Sequence, residues 1–465
     1  MRLHVAALAS LILMAPAGYC ADADLPGDAS EAMAQAVEYL RDEVAVGGGY
    51  LGRYKLDAEL DEIADQWGEG HATADQNWTQ PPGNPSIGFA FLRAWGATGE
   101  QEYLDAAIEV ADSLVYGQLA VGGWDYIVDH SPAGEKAWQY LHNAASDDES
   151  LKSGRNTGTY DDNVTQHATR LLIAVDLALE QENAEIHEAA MAALEYMLES
   201  QYPSGGWPQR YPLSGRGYGD FFTYNDNSIA DCIDVMMIAW RAYDDERYFA
   251  AVEQAGDFII ATQQPEPQPV WAQQYDHDLK PAWARRFEPP SVTGGETRGV
   301  MRSLIRIALF TNDAKYLEPI GPALEWFRRS ELTGEDKGKW ARFYELGTNR
   351  PLYFTAETYT LTYDDSNVPD HYSFKQSGFP AGVEKLHLEI TEKGIEQYSR
   401  DHEPTSLSRE ASLARAEGME ESVRAIVDAQ DDRGRWVEGD MVDMATFGRN
   451  ITALASYLGL VNAAD

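Results

Sequence analysis

The stretch 161–207, DDNVTQHATRLLIAVDLALEQENAEIHEAAMAALEYMLESQYPSGGW, opens on clustered carboxylate and amide side chains and closes on a glycine pair and a tryptophan. Between them Val164, Ala168, Leu171, Val175 and Leu179 fall on one helical face. Ile186, Ala190, Leu194, Met197 and Leu198 fall on another. Roughly 40 to 45 residues is the length of two antiparallel helices with a short connection. The unit recurs: Asn225-Asp226-Asn227 and Gly294-Gly295-Glu296 open further helices. Gly47-Gly48-Gly49-Tyr50, Gly122-Gly123-Trp124 and Gly434-Arg435-Trp436 punctuate others, and Trp271 and Trp340 close two more without the glycine pair. Trp124, Trp207, Trp271 and Trp340 are 83, 64 and 69 residues apart.

The same apolar spacing returns in Ile229, Ile233, Met236 and Trp240, and in Val300, Leu304 and Ile307 followed by Ile320, Leu324 and Phe327. Repetition at this period predicts an all-α fold, an α/α toroid: an incomplete barrel of helical hairpins. Only Arg350–Tyr363 carries a strand signal, so a short β-hairpin insertion is expected around Leu352, Phe354, Thr360 and Thr362. No linker divides residues 24–465, which are expected to form a single domain. In an up-down ring the segment before each first helix and the segment after each second helix share one end. The Asp/Asn clusters and the glycine-tryptophan loops should therefore face one surface, where loops over a rigid scaffold carry function. Simple N-capping and simple packing of the tryptophans are the competing structural explanations.

With 465 residues and 44% hydrophobic composition the chain can build a sizeable core. Its 76 acidic against 36 basic side chains give a net charge of −40, which excludes nucleic acid and anionic membrane surfaces as partners. Met1-Arg2, the apolar run Val5–Pro16 and Ala21-Asp22-Ala23 read as an export leader cleaved after residue 23. Cys20 raises the thought of a lipid anchor, but the bulky Tyr19 before it fits that processing poorly. The expected location is secreted or periplasmic, with no stable membrane association and a monomeric state. Cleavage leaves Cys232 alone, so no disulfide framework supports the fold.

Asp161-Asp162-Asn163 and Asn225-Asp226-Asn227 supply oxygen ligands at two successive helix starts. Oxygen-only clusters suit a hard cation, calcium above all, here assembled from separate loops because no EF-hand spacing is present. Zinc is disfavoured, since the ten histidines are scattered and His167 reads as a packed or capping residue. Two polar-aromatic islands, Pro281–Pro290 and Lys339–Glu345, set arginines beside aromatic residues, a composition suited to carboxylates and sugar faces.

Taken together, these segments resemble the family 10 polysaccharide lyases, the pectic acid lyases. Gly205–Pro212 and Thr223–Asn227 look like the family signature; Asp161–Thr165, Pro281–Pro290 and Trp340–Leu352 resemble three further family segments in the same order. The resemblance implies an α/α toroid and calcium-assisted anti-β-elimination on a pectate-type uronan, with an anionic polysaccharide such as polygalacturonate as partner. It further implies Asp161 and Asp226 at the Ca2+ site and Arg285 as the Brønsted base. Asp162, Trp207, Gln209, Asn225, Arg342 and Arg350 are then the substrate-binding candidates. An arginine base requires a strongly depressed proton affinity and alkaline conditions. The chain departs from the family pattern at Asp162 and Val164, and after Arg350 it lacks the family's arginine-rich stretch. An α/α-toroid glycoside hydrolase using Asp161 and Asp226 as paired carboxylates, or a carbohydrate-binding relic using the tryptophan rim, are the alternatives.

Overall fold

The computed structural model describes residues 24–57 and 59–463; the expected leader over residues 1–23 lies outside them. Among the described residues fifteen α-helices dominate. They are α1 (Leu25–Tyr39), α2 (Asn84–Thr98), α3 (Gln101–Gly117), the single turn α4 (Gly134–Ala137), α5 (Val164–Ala178), α6 (Ala184–Ser200), α7 (Ser228–Tyr243) and α8 (Glu246–Thr262). The chain continues through α9 (Gly294–Thr311), α10 (Ile320–Ser330), α11 (Ala381–Lys393), α12 (Ile395–Asp401), α13 (Arg409–Glu417), α14 (Glu420–Asp428) and α15 (Met444–Asn462). The first helices of the hairpins pack in the sequence α15, α2, α5, α7, α9, and α3, α6 and α8 pack in parallel succession behind them. This is the expected α/α toroid.

The spacing of the apolar residues sets each interface. Val164, Ala168, Leu171 and Val175 are fully buried on α5, as are Ile186, Ala190, Leu194 and Met197 on α6. Caps fix where the helices begin: Asn183 accepts from the Glu185 and Ile186 N–H groups, and Asp245 from Arg247 N–H.

The closing tryptophans are packing devices. Trp124, Trp207, Trp271, Trp340 and Trp436 are all buried. Each indole Nε1 donates to a carbonyl of the helix just completed: Leu114, Met197, Ile259, Phe327 and Ile426 at 2.7–2.9 Å. Those carbonyls are left over by the helix itself, so the tryptophan satisfies the helix end while filling the space behind it.

A glutamine just after the helix links neighbouring hairpins. Gln118, Gln201, Gln263 and Gln430 each donate to their own loop (Gly122, Gly205, Pro269 and Gly434 O) and to the next unit (Ala189, Ala251, Pro319 and Ala32 O). The last of these carries the stitch from the final hairpin back to α1. Gly205 must be glycine, because at φ +100° its Cβ would sit 2.0 Å from Gln254 O on α8.

The expected β-hairpin exists as Pro351–Phe354 paired with Leu361–Thr362, with Tyr353 opposite Thr362. It extends through Phe343–Glu345 and Ser291–Thr293 into a four-stranded antiparallel sheet. A second four-stranded sheet, absent from the sequence expectation, joins Arg53–Leu56 and Ile63–Trp67 to Val437–Glu438 and Met441–Asp443. Its strands are two to five residues long, too short for alternation to show in the sequence.

Candidate functional site

Two turns with one backbone build the centre. Asp162 and Asn163 (φ 48° and 62°) precede α5, and Asp226 and Asn227 (φ 48° and 58°) precede α7. Left-handed conformations are tolerated best by Asp and Asn after glycine, and non-glycine outliers gather at functional sites. The supports repeat as well. Thr159 Oγ1 accepts from Asp161 N–H, as Thr223 Oγ1 does from Asn225 N–H, both at 3.1 Å. Gln209 O accepts from Tyr160 N–H, and Gln273 O from Tyr224 N–H, both at 2.9 Å. Asp162 is thus the structural counterpart of Asp226, and Asp161 of Asn225.

The turns bring the carboxylates of Asp161, Asp162 and Asp226 together, with one oxygen of each within 4.8 Å of the others. Partial burial and the charges of Asp162 and Asp161 push Asp226 up to about 6, although Arg285 works against the rise. Asp161 is also raised, by burial first and by Asp162 second, with Gln209 and Tyr126 opposing. Tyr126 Oη donates to Asp162 at 2.9 Å. Three crowded carboxylates are the donor set of a hard-cation site, and beside them Gln273 Oε1 is buried without a partner. Oxygen donors alone, held on rigid helix starts and left short of positive charge, fit calcium.

Arg285 and Glu288 line the same pocket. Arg285 donates to Glu288 through Nε (2.8 Å), Nη2 (2.7 Å) and its own backbone N–H (2.9 Å). Tyr372 Oη adds a fourth bond to Glu288 at 2.8 Å. Burial alone would raise the Glu288 carboxyl, but these donors and Gln273 outweigh it and hold it below the usual range. The same hydrogen bond, against some desolvation, raises Arg285 above its ordinary value. The depressed proton affinity expected of an arginine base is therefore not what the structure shows: the Glu288 fork favours the charged guanidinium.

A sequence model described as pectic acid lyase matches residues 132–375, a span that contains the three carboxylates, Arg285 and Glu288. The chain belongs to the pectic acid lyase family. Among solved structures it is similar to a family 10 polysaccharide lyase from Cellvibrio cellulosa, at 24% identity over 66% of this chain and 97% of that one, with a TM-score of 0.48. A mutant of the same lyase in complex with trigalaturonic acid gives the same values. A glycoside hydrolase family 76 mannosidase from Bacteroides thetaiotaomicron is similar at 11% identity over 95% of this chain and 99% of that one, TM-score 0.43. No protein of curated function matches the chain.

Within this member of the family the other expected residues separate. Asn225, Gln209 and Asp162 line the central pocket; Asn225 is buried and its Nδ2 donates to Asp226, which makes it a holder of that carboxylate. Arg342 lines the far side of Asp226, 3.4 Å from Glu296, with its guanidinium 4.1 Å from the Tyr372 ring centre. Two expectations fail. Trp207 is wholly buried and its N–H is committed to Met197 O, so it offers no face to a sugar. The tryptophan rim of the binding-relic alternative disappears with it. Arg350 stacks 3.5 Å over Tyr363, on the β-hairpin, and lines none of the cleft described here. His167 is packed, as expected: its ring lies 5.2 Å from that of Phe89, tilted by 38°, and burial lowers its pKa to about 3.

The site also contains residues the sequence did not single out: Tyr126, Gln273, Glu288, Glu296 and Tyr372. A usable signal existed for some of them. The second residue after each of four closing tryptophans, namely Tyr126, Gln209, Gln273 and Arg342, meets an acid: Asp162, Asp161, Glu288 and Glu296 in turn.

Proposed function

We propose that this chain is an exported pectate lyase that cleaves a polygalacturonate-type uronan by calcium-assisted anti-β-elimination. The reading rests on one observation: three carboxylates converge within 4.8 Å of one another in a pocket shared with Arg285, inside the span matched to the pectic acid lyase family. Asp161, Asp162 and Asp226 would hold Ca2+. When bound, the cation supplies positive charge that neutralises a substrate carboxylate and stabilises the enolate developing from it.

In the elimination a base removes the C5 proton, the C5–H electrons form the C4=C5 double bond, and the C4–O bond breaks. The departing oxygen takes a proton. Arg285 is the group assigned to C5. Its Glu288 fork fixes the guanidinium plane and leaves Nη1 without a protein partner among the described residues. As a cation Arg285 stabilises charge growing on the C6 carboxylate. To accept the C5 proton it must first lose one of its own, a step Glu288 resists, and this places the reaction in alkaline solution. Asn225 and Gln209 orient Asp226 and Asp161, and Arg342 offers a guanidinium beyond Asp226.

The test is a panel of uronans assayed for unsaturated, ultraviolet-absorbing ends, with calcium and then with excess chelator. Absorbing product that vanishes on chelation and returns with calcium is expected. Saturated reducing ends formed with uptake of water would replace this reading with hydrolysis by the paired carboxylates. Full activity in chelator would remove the metal from the mechanism.

A further inference from the structure

Arg155, Arg210 and Arg216 stand together on one wall of the cleft, an arrangement that needs explaining in a chain of net charge −40. The cavity there measures about 760 Å3 and continues into the central pocket, with which it shares Asp161, Gln209 and Tyr218. All three arginines are exposed. Among the described residues Arg210 and Arg216 form no ion pair, and Arg155 only a long one, 3.4 Å to Asp125.

Two acids of this wall are held by backbone N–H groups. Asp220 is buried and accepts from the Ser214 and Arg216 backbone N–H groups at 2.8 and 3.0 Å, which shapes the loop while leaving the Arg216 head unpaired. Asp125 is buried and accepts from Tyr126 N–H at 2.7 Å. Arg155 is braced over Trp138, 4.6 Å from the ring centre. Tyr218, 37% exposed, offers an aromatic face between the arginines and the carboxylate centre. Guanidinium groups that fork onto carboxylates, spaced along a cleft with an aromatic platform, form a surface for sugars that each carry an acid.

Next to Arg285, by contrast, two arginines are engaged by the β-hairpin segment. Arg286 donates to Thr358 O at 3.3 Å and lies 4.0 Å over Tyr359, and Arg350 is stacked on Tyr363. We propose that the wall of Arg155, Arg210, Arg216 and Tyr218 is a subsite for further uronate residues of the polyanion, so that the bound chain extends from the carboxylate centre along this side. The inference rests on the lyase reading and adds the direction of the chain and the residues that grip it.

The experiment measures KM and kcat for trigalacturonate and hexagalacturonate at fixed free calcium. The Arg210→Gln/Arg216→Gln pair should raise KM for the hexamer about tenfold or more and for the trimer much less, with kcat within about twofold. Arg210→Lys/Arg216→Lys, which keeps the charge, should recover part of the loss and shows that the fold is intact. Arg409→Gln/Arg415→Gln, on α13 away from the cleft, controls for net charge and should leave both substrates unaffected. A glutamine pair that still prefers the hexamer as the wild type does overturns the subsite, as does a wild type with equal KM for both lengths. A wild type that forms no unsaturated product from any uronan overturns the lyase reading instead.

Discussion

Glu288, only 2% exposed, takes three hydrogen bonds from Arg285, and the pair sets the proton affinity of the residue assigned to C5. Replacing the carboxylate by an amide, Glu288→Gln, should lower the affinity of Arg285 for its proton. The alkaline rise of kcat should then move to lower pH by about one unit, equivalent to about 1.4 kcal/mol, while kcat itself falls because the fork loosens. A pH–rate profile in the variant that superimposes on the wild type assigns Glu288 a packing role only.

The same pair makes a stability prediction with a definite sign. Glu288 has a folded-state pKa below its unfolded value, so its contribution is present above the unfolded carboxyl range and lost as pH falls through the folded pKa. Between about pH 5 and pH 3 the wild type should therefore lose melting temperature faster than Glu288→Gln. At neutral pH the variant should be less stable by about 2 kcal/mol, below the usual cost of breaking a buried pair because Arg285 is half exposed and can turn to water.

Trp207→Phe separates packing from recognition. The lost N–H leaves Met197 O with only the 3.2 Å bond from Ser200 Oγ, a loss of about 1 kcal/mol in denaturant unfolding. Because the indole is fully buried, the Kd for oligogalacturonate should not change. A weakened Kd with unchanged stability would return Trp207 to the binding surface.

The carboxylate cluster should behave oppositely with and without metal. Asp226 titrates near 6, above its unfolded value, so the folded chain binds more protons than the unfolded one in that window. Metal-free stability therefore falls as pH rises from about 4 to about 6 and stays lowered above it. Asp226→Asn should raise the metal-free melting temperature at pH 8, where the repulsion is fully expressed. The same variant should lose most of the rise that calcium gives the wild type. Melting curves with chelator and with calcium check both halves; equal calcium shifts in the two proteins would take Asp226 out of the site.

What the sequence disclosed follows from how each feature is encoded. Helical hairpins repeat an apolar period over many residues, and so α5–α6 and α7–α8 could be read directly, as could the shared rim of the two Asp/Asn turns. Choosing Asp161 and Asp226 as ligands leaves out Asp162. Aligning the turns on their common Tyr-x-Asp-Asn pattern makes Asp162, not Asp161, the counterpart of Asp226, and the structure draws in all three. Tyr372 and Glu288 could not be paired in advance, because 84 residues separate them and only the folded 357–380 segment brings them together. The place of Trp207 in a family signature does not say which way it faces, and the structure turns it into the core. Buried tryptophans that finish a helix and surface tryptophans that hold sugar look alike in sequence.

Net charge gives the final prediction. Seventy-six acidic side chains against 36 basic ones repel one another in the folded chain and repel a polyuronide approaching it. Dissolved salt screens both effects, with a Debye length of about 8 Å at physiological ionic strength. It also weakens attraction between the substrate and Arg210 or Arg216, but those contacts are made at short range once the chain is seated. Moderate sodium chloride should therefore raise the melting temperature and kcat/KM together at fixed free calcium. In Arg210→Gln/Arg216→Gln the gain in kcat/KM should be larger, since only repulsion is left to screen at that wall. If both quantities fall steadily from low salt in the wild type, local attraction at the arginine wall already outweighs the global charge, and the acidic surface is not an adaptation to salt.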